Sequence, residues 1–378
     1  MILCERGPEG GPALFRDPRA VVTAWTAAEV APALARLDAA RAGGRWVAGH
    51  VAYEAGLALE PRLAPLVPGP GEEPLLAFGI FDAPADPAPL LARAGADAAG
   101  ASLRPLVPLV PRADYGAAFR RVQRYIAAGD CYQINLTLPL ETRLAGTPLG
   151  LFGALRAAQP VGWGAFSDLG AGPVVVSRSP EQFFTVQGGT IASRPMKGTA
   201  PRGQDPAEDA ALARALSLSE KARAENLMIV DLLRNDIARL AEVGSVRVPE
   251  LFRVERFATV HQMSSLVTGR LAAAPGLAGL MRALFPCGSI TGAPKIRAMA
   301  IIAEVEPHPR GVYCGAVGWM APGGDAAFSV AIRTLRVWPD GRVLLNAGGG
   351  VVADSTEDGE WEEALWKTRF VRALTTPA

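Results

Sequence analysis

The chain has 378 residues, 49% of them apolar, with 38 Lys and Arg against 37 Asp and Glu. That near-balance argues against a nucleic-acid partner, which calls for a basic face, and no run of roughly eighteen apolar residues suggests a membrane span. The start MILCERGPEGG lacks a signal-peptide core, and four scattered cysteines without a Cys-x-x-Cys pair disfavour a zinc site or a disulfide framework, so a soluble cytoplasmic protein is expected.

Helical spacing runs from Ala27 to Ala42, followed by short apolar runs at Trp46-Val47-Ala48 and at 75–78. Segments 61–74 and 83–113 are rich in Pro, Ala and Gly and read as connectors. From Asp114 the texture changes. Tyr115 to Ala128 has helical spacing, ended by Gly129-Asp130, and Cys131 to Leu140 alternates like a strand. Residues 174–176 and 183–186 read as strands, with Gly188-Gly189 as a hairpin turn. A long helical region covers 205–240. Residues 328–337, 343–347 and 351–352 read as further strands, and 357–374 as a last helix. No regular βαβ alternation appears. The pattern predicts an α+β fold, two packed antiparallel β-sheets with helices on the outside.

Lysine occurs only at 197, 221, 295 and 367; arginine supplies the rest of the positive charge. A guanidinium replaces an ammonium wherever only a charge is needed, but it never loses its proton. A retained lysine in such a chain therefore draws attention, and Lys197, within PMKGT, most of all. The carboxylates suggest a second theme. Glu225 opens a helical run, and Glu360, Glu363 and Lys367 share one face of the last helix. They read either as a surface ion pair or as acidic helices converging on Mg²⁺. Gly348, Gly349 and Gly350 follow a strand and read either as a flexible hairpin or as a backbone cradle for an anion. Arg333, in an otherwise apolar strand, reads as an edge residue or as a carboxylate grip. The turn GSITGAPK at 288–295 leads into a helix and offers a hydroxyl and amides to a ligand. No Gly-x-Ser-x-Gly elbow is present. The residues suggest a Mg²⁺-assisted site for a small carboxylated anion, with an amine as possible nucleophile.

Several stretches together resemble the chorismate-utilising enzymes, the family of anthranilate, aminodeoxychorismate, isochorismate and salicylate synthases. They are GDCYQINLT (129–137), SRSPEQFF (177–184), SRPMKGTAPRG (193–203), KARAENLMIVDLLRND (221–236), TVHQMSSLVTG (259–269), GSITGAPKIRAM (288–299), GVYCGAVGW (311–319), FSVAIRT (328–334) and AGGGVVADSTEDGEWEE (347–363). The resemblance implies a catalytic region over 111–378, with residues 1–110 completing the same α+β unit. It implies Glu225 and Glu363 as Mg²⁺ ligands with Glu360 close by. It implies Tyr313, Arg333, the amides of Gly348 to Gly350 and Lys367 as a cradle for the carboxylates of chorismate. Glu181 resembles the general acid for the departing 4-hydroxyl, with His261 and Thr291 near that hydroxyl. The chain departs from many relatives at Ala222, where they carry an acid.

Two positions separate the branches of the family. Relatives that add water carry a lysine where this chain has Gln133, and a neutral amide does not deprotonate water. Anthranilate and hydroxylating enzymes resemble PMKGT but usually have alanine in place of Lys197, whereas the aminodeoxychorismate branch has lysine. The resemblance therefore implies amination of chorismate to 4-amino-4-deoxychorismate for 4-aminobenzoate and folate supply, through a covalent adduct on Lys197. With no glutaminase segment in the sequence, it implies ammonia from a separate glutamine amidotransferase subunit in a heterodimer. The alternatives are amination at C2, as in anthranilate synthase component I, and a catalytically silent ligand-binding relative.

Overall fold

The computed structural model describes residues 1–257 and 260–375. Thr259, the first residue of the TVHQMSSLVTG stretch, lies outside them. Strands β1 (Ile2–Cys4), β2 (Ala13–Phe15) and β3 (Ala20–Ala24) come first. Helix α1 (Ala27–Ala42) is opened by a capping box, Thr26 with Glu29. Then come β4 (Trp46–Val51), α2 (Ala55–Leu59), β5 (Leu76–Phe81) and α3 (Ala88–Asp97). Helix α3 corrects the reading of 83–113 as connector. Its Ala-rich sequence is helix-forming, and Pro87 and Pro89 sit at its start, where proline is tolerated. Next are β6 (Ser102–Leu103), β7 (Val107–Pro108), α4 (Arg112–Ala127), β8 (Gln133–Ala145), α5 (Pro148–Ala158), β9 (Ala165–Ser167) and β10 (Val174–Ser177).

The hairpin β11 (Gln182–Gln187) and β12 (Thr190–Arg194) turns at Gly188 and Gly189, both at positive φ as a two-residue turn requires. Strand β13 (Met196–Pro201) follows. The expected long helix is two: α6 (Pro206–Leu218) and α7 (Glu220–Ala238). Ser219 divides them, because its extended backbone ends one and its hydroxyl caps the other by accepting from the Ala222 amide. The chain continues through β14 (Arg247–Arg256), β15 (Val260–Arg270), α8 (Gly276–Leu284), β16 (Gly292–Ala293), α9 (Lys295–Val305) and β17 (Ala316–Met320). The strand expected over 328–337 is also two, β18 (Ala326–Val330) and β19 (Thr334–Val337), and they lie in different sheets. Last are β20 (Arg342–Val351), which takes in the glycine run, and α10 (Glu357–Trp366), which tightens to 3₁₀ turns over Lys367–Leu374.

Among the described residues two sheets of ten strands each result. One runs β16-β8-β20-β19-β10-β9-β1-β2, with β6 and β7 also paired to β8; the other runs β13-β15-β12-β11-β18-β17-β4-β5-β3, with β14 also paired to β15. Every ladder between named strands is antiparallel. Residues 1–110 supply strands to both sheets, and apolar side chains from both parts fill one main core. Phe78 of β5 packs on Phe328 of β18, which stacks on Phe184 of β11. The fold is the expected α+β arrangement. Among the described residues no helix is long and apolar enough to cross a membrane.

Candidate active site

A cavity of about 690 Å³ is walled by β13 and the start of β15 from one sheet, the end of β20 from the other, and helices α7 and α10. Three of the four lysines, Lys197, Lys221 and Lys367, line it. The fourth, Lys295, is elsewhere: its Nζ is 2.5 Å from the buried Asp236 carboxylate and 3.0 Å from the Leu284 carbonyl.

Lys197 is delivered by a bulge. The pairing of β13 with β15 shifts register between Met196 and Thr199, and such an irregularity re-aims a side chain. Gly198 sits in it at φ +80°, a conformation that other residues adopt only with strain. A Cβ on Gly198 would lie 2.8 Å from that of Ala222, which is buried with Leu216 and Met263. The Ala222 departure thus has a local consequence: any larger side chain there meets the segment that carries Lys197. Lys197 forms no ion pair among the described residues. Burial holds its pKa below the ordinary lysine value, assisted by Lys367 and opposed by Glu225, Glu181 and Glu363.

The glycines behave as neither a hairpin nor a three-amide cradle. Gly348, Gly349 and Gly350 are strand residues opposite Thr137, Leu136 and Asn135. Asn135 and Thr137 direct their N–H groups away from β20, to the Thr291 carbonyl and a Glu306 carboxylate. The alternation of an antiparallel ladder then turns the polar groups of Gly348 and Gly350 to the other edge and those of Gly349 toward Leu136. That other edge is open, because β19 pairs with β20 only over Val343–Leu345. Two amides rather than three therefore face outward. The glycines also admit close side chains. A methyl on Gly350 would lie 2.9 Å from Gln133 Nε2 and 3.1 Å from Lys197 Nζ; one on Gly349 would lie 2.6 Å from Glu360 Oε2. Gly350→Ala is expected to lower kcat on the order of tenfold by displacing the amine, with Tm changed by only a few degrees because the neighbours are side-chain ends. Steady-state kinetics beside a thermal melt checks this. Gly348→Ala, whose methyl would meet the Leu136 carbonyl at 2.2 Å, instead destabilises the sheet.

Glu225 on α7 and Glu360 and Glu363 on α10 line the same cavity. Glu363 pairs with Lys367 at 2.7 Å, and Lys367 also donates to the Gly348 carbonyl at 2.7 Å. Burial alone would raise the Glu363 pKa, but Lys367, with Lys197 and Lys221, brings it below the usual value. Glu360 is buried and raised by that burial. Its Oε1 accepts from Ser355 at 2.6 Å, while its Oε2 is buried without a partner among the described residues. No group of three or more His, Cys, Asp or Glu among the described residues is arranged to hold a metal by itself. Mg²⁺ often takes only one or two carboxylates and completes its shell with water and substrate oxygens. An all-oxygen set with one orphaned buried acceptor fits that ion.

Glu181 is 5% exposed, and burial pushes its pKa up to about 7, opposed by hydrogen bonds and by Lys197 and Arg333. Ser289, in the GSITGAPK turn expected to offer a hydroxyl to a ligand, donates to Glu181 Oε1 at 2.7 Å. Arg333 lies at the crossover between the sheets at φ +49°, not within a strand. That geometry puts its guanidinium on the cavity wall, where burial lowers its pKa and, among the described residues, no side-chain hydrogen bond or ion pair holds it. Such a cation suits a carboxylated ligand. Tyr313 also lines the cavity, and burial holds its hydroxyl in the neutral form.

Four expected site residues lie behind this wall: Gln133, Gly349, His261 and Thr291. Gln133 is fully buried, with neither amide atom hydrogen-bonded among the described residues. His261 is corrected to a structural place. Side chains alternate along β15, so Val260 and Gln262 face the cavity, whereas His261 Nε2 lies 2.8 Å from Asp209 of α6. Gln262 instead accepts from Thr199 at 3.1 Å. The Thr291 hydroxyl donates to the carbonyls of Cys287 and Gly288 and is likewise turned away. Recognising Ser289 and Gln262 from sequence would have needed the side-chain direction of a turn and of one strand, which no local pattern gives.

The sequence matches the family described as chorismate binding enzyme over residues 5–373. It is 50% identical over 260 residues to aminodeoxychorismate synthase component 1 of Klebsiella aerogenes, which covers 69% of this chain and 57% of that protein. It is 47% identical over 249 residues to anthranilate synthase component 1 of Streptomyces coelicolor, covering 66% and 48% respectively. The chain thus aligns with about half the length of these curated relatives. The crystal structure of anthranilate synthase component I from Streptococcus pneumoniae TIGR4 superposes with a TM-score of 0.79 at 25% identity, covering 95% of this chain and 92% of that one. With its sheets, its cavity and nearly its whole length accounted for, this chain belongs to the chorismate binding enzyme family.

Proposed function

We propose that the chain converts chorismate and ammonia to 4-amino-4-deoxychorismate in the cytoplasm, for 4-aminobenzoate and folate supply. The observation that carries this reading is the Lys197 amine. It lines the cavity without an ion pair among the described residues, and burial favours its neutral, nucleophilic form. Relatives that align over 69% of the chain and are named aminodeoxychorismate synthase component 1 support it.

Arg333, the outward amides of Gly348 and Gly350, and Lys367 bind the carboxylates of the substrate, and buried Tyr313 orients it. Glu225 and Glu363, with Glu360 beside them, would hold Mg²⁺, which when bound neutralises a ring carboxylate and withdraws electrons from the ring. Lys197 forms a bond from Nζ to C2 as the ring double bonds shift. The C4–O bond breaks, and Glu181 gives its proton to the departing oxygen, which leaves as water. Ammonia then bonds to C4, the double bonds shift back, the C2–N bond breaks with its electron pair returning to Lys197, and the new ammonium gives one proton back to the Glu181 carboxylate. One ammonia is gained and one water lost. A glutamine amidotransferase subunit supplies the ammonia, a reading supported by the words "component 1" in the names of the relatives.

Incubation with chorismate, Mg²⁺ and ammonium, followed by mass spectrometry, tests the reading. The expected product is 4-amino-4-deoxychorismate. Fluorescent anthranilate would instead favour the second reading, anthranilate formation, which the Streptomyces coelicolor relative supports. Absence of chorismate consumption would favour a silent ligand-binding protein.

Gln133 bears on the incoming nucleophile. Its amide is within reach of the point where a Gly350 methyl would touch Lys197. Gln133→Lys adds a base there and is expected to divert part of the turnover to a hydroxylated product, 18 mass units above chorismate minus the water lost, that is, at the mass of chorismate itself. Chromatographic separation from chorismate and ¹⁸O-water incorporation detect it, and no ¹⁸O label would count against a role for this position.

A further inference from the structure

We propose that Ser289 is a positioning residue for Glu181: its hydroxyl holds Oε1, leaves the acid's proton on Oε2, and stabilises the carboxylate that remains once that proton is given up. This rests on the reading of Glu181 as proton donor. Ser289 lies in the buried turn Gly288–Ile290, is 6% exposed and lines the cavity beside Glu181.

The hydroxyl sits in a directed chain. It donates to Glu181 Oε1 at 2.7 Å, and the Cys287 sulfur lies 3.3 Å from it. An ionised carboxylate only accepts, and a hydroxyl has one proton. With that proton given to Glu181, the serine oxygen accepts from the thiol. Burial raises the Cys287 pKa to about 12, so the thiol keeps its proton. The backbone of Glu181 is fixed independently, its N–H bonding Ser179 Oγ at 3.1 Å and its carbonyl accepting from Val330. Backbone and one carboxyl oxygen are thus both anchored. Lys197 and the Met196 amide from β13, and Arg333 from the crossover, are the other groups that act on this carboxyl.

The bond strengthens as the reaction proceeds. A hydroxyl bonds a carboxylate about twice as strongly as it bonds a neutral acid, so Ser289 favours the deprotonated product of the proton-transfer step. Atoms balance: the Glu181 O–H bond breaks, a leaving-group O–H bond forms, and the serine proton stays where it was.

Ser289→Ala tests the proposal. Loss of a hydrogen bond to a charged group is expected to lower kcat roughly ten- to a hundredfold with KM nearly unchanged. The alkaline limb of kcat/KM is expected to move up by about one pH unit, because the ionised form of Glu181 loses a donor. Ser289→Thr, which keeps the hydroxyl, is expected to restore both. A raised KM with unmoved limb and kcat would overturn the proposal, as would an alanine variant indistinguishable from the parent. A second measurement needs no turnover. The ¹³C titration of Glu181 in protein labelled at glutamate, assigned with Glu181→Gln, is expected to shift upward in Ser289→Ala; an unmoved titration also overturns the proposal. If the parent protein makes no 4-amino product, the functional reading fails while this titration still decides the role of Ser289.

Discussion

Lys197→Arg is expected to lose 4-amino-4-deoxychorismate formation by on the order of 10³-fold or more, while the protein folds and still binds chorismate. The charge is kept, so electrostatic support from position 197 persists. What disappears is a nitrogen able to shed its proton and form a bond. The change isolates nucleophilicity from charge, which Lys197→Ala does not. The cavity already disposes the amine toward its neutral form: burial, with Lys367, acts against the ammonium and outweighs the opposing carboxylates of Glu225, Glu181 and Glu363. The check is product formation by mass spectrometry beside chorismate binding by calorimetry. Intact-mass analysis of the parent, quenched during turnover without ammonium, is expected to reveal the adduct on Lys197. Full 4-amino product from the arginine variant would exclude the covalent step and leave Lys197 as an electrostatic partner.

Glu181→Gln is the second large effect, a loss of roughly 10²–10⁴-fold in kcat, the usual contribution of a positioned general acid. The glutamine keeps a polar side chain of nearly the same shape but brings no proton that it can transfer to the leaving oxygen. The substitution also has a signature in stability. The folded pKa of Glu181, about 7, lies above the ordinary 4.5. Between these values the native state binds more protons than the unfolded chain, so this group lowers stability as pH rises from about 4.5 through 7. Removing it is expected to make the variant more stable than the parent at pH 8, by up to about 2–3 kcal/mol, and to leave it nearly matched at pH 5. Denaturant unfolding at the two pH values checks the sign. A parent that gained stability between pH 5 and 8 relative to Glu181→Gln would contradict the buried, proton-retaining carboxyl.

Much of this molecule was legible before any coordinates. The helix over Ala27–Ala42 was correct to the residue because a Thr26–Glu29 box opens it and the chain turns away at Gly43-Gly44. The Gly188-Gly189 hairpin was equally plain. Scarce lysines pointed to the cavity, since three of the four line it. Errors arose where one local pattern covered two structural fates. The apolar run over 328–337 is continuous in composition, yet it divides at Arg333 to serve both sheets. The run over 205–240 keeps helical composition across a break that a single serine makes.

Sequence by itself determined the family, through its motif stretches, the antiparallel α+β class, and the stock of chemical groups: a lysine amine, three carboxylates, an acid and an arginine. The class and the groups follow from residue identity and short-range periodicity, which act within a turn or a pair of strands. Tertiary structure alone decided which of two neighbours lines the cavity, as with Gln262 over His261 and Ser289 over Thr291, and which glycine amides meet an open edge. Such choices depend on register and on side-chain direction, and long-range packing sets both: a shift of one residue along a strand exchanges its faces.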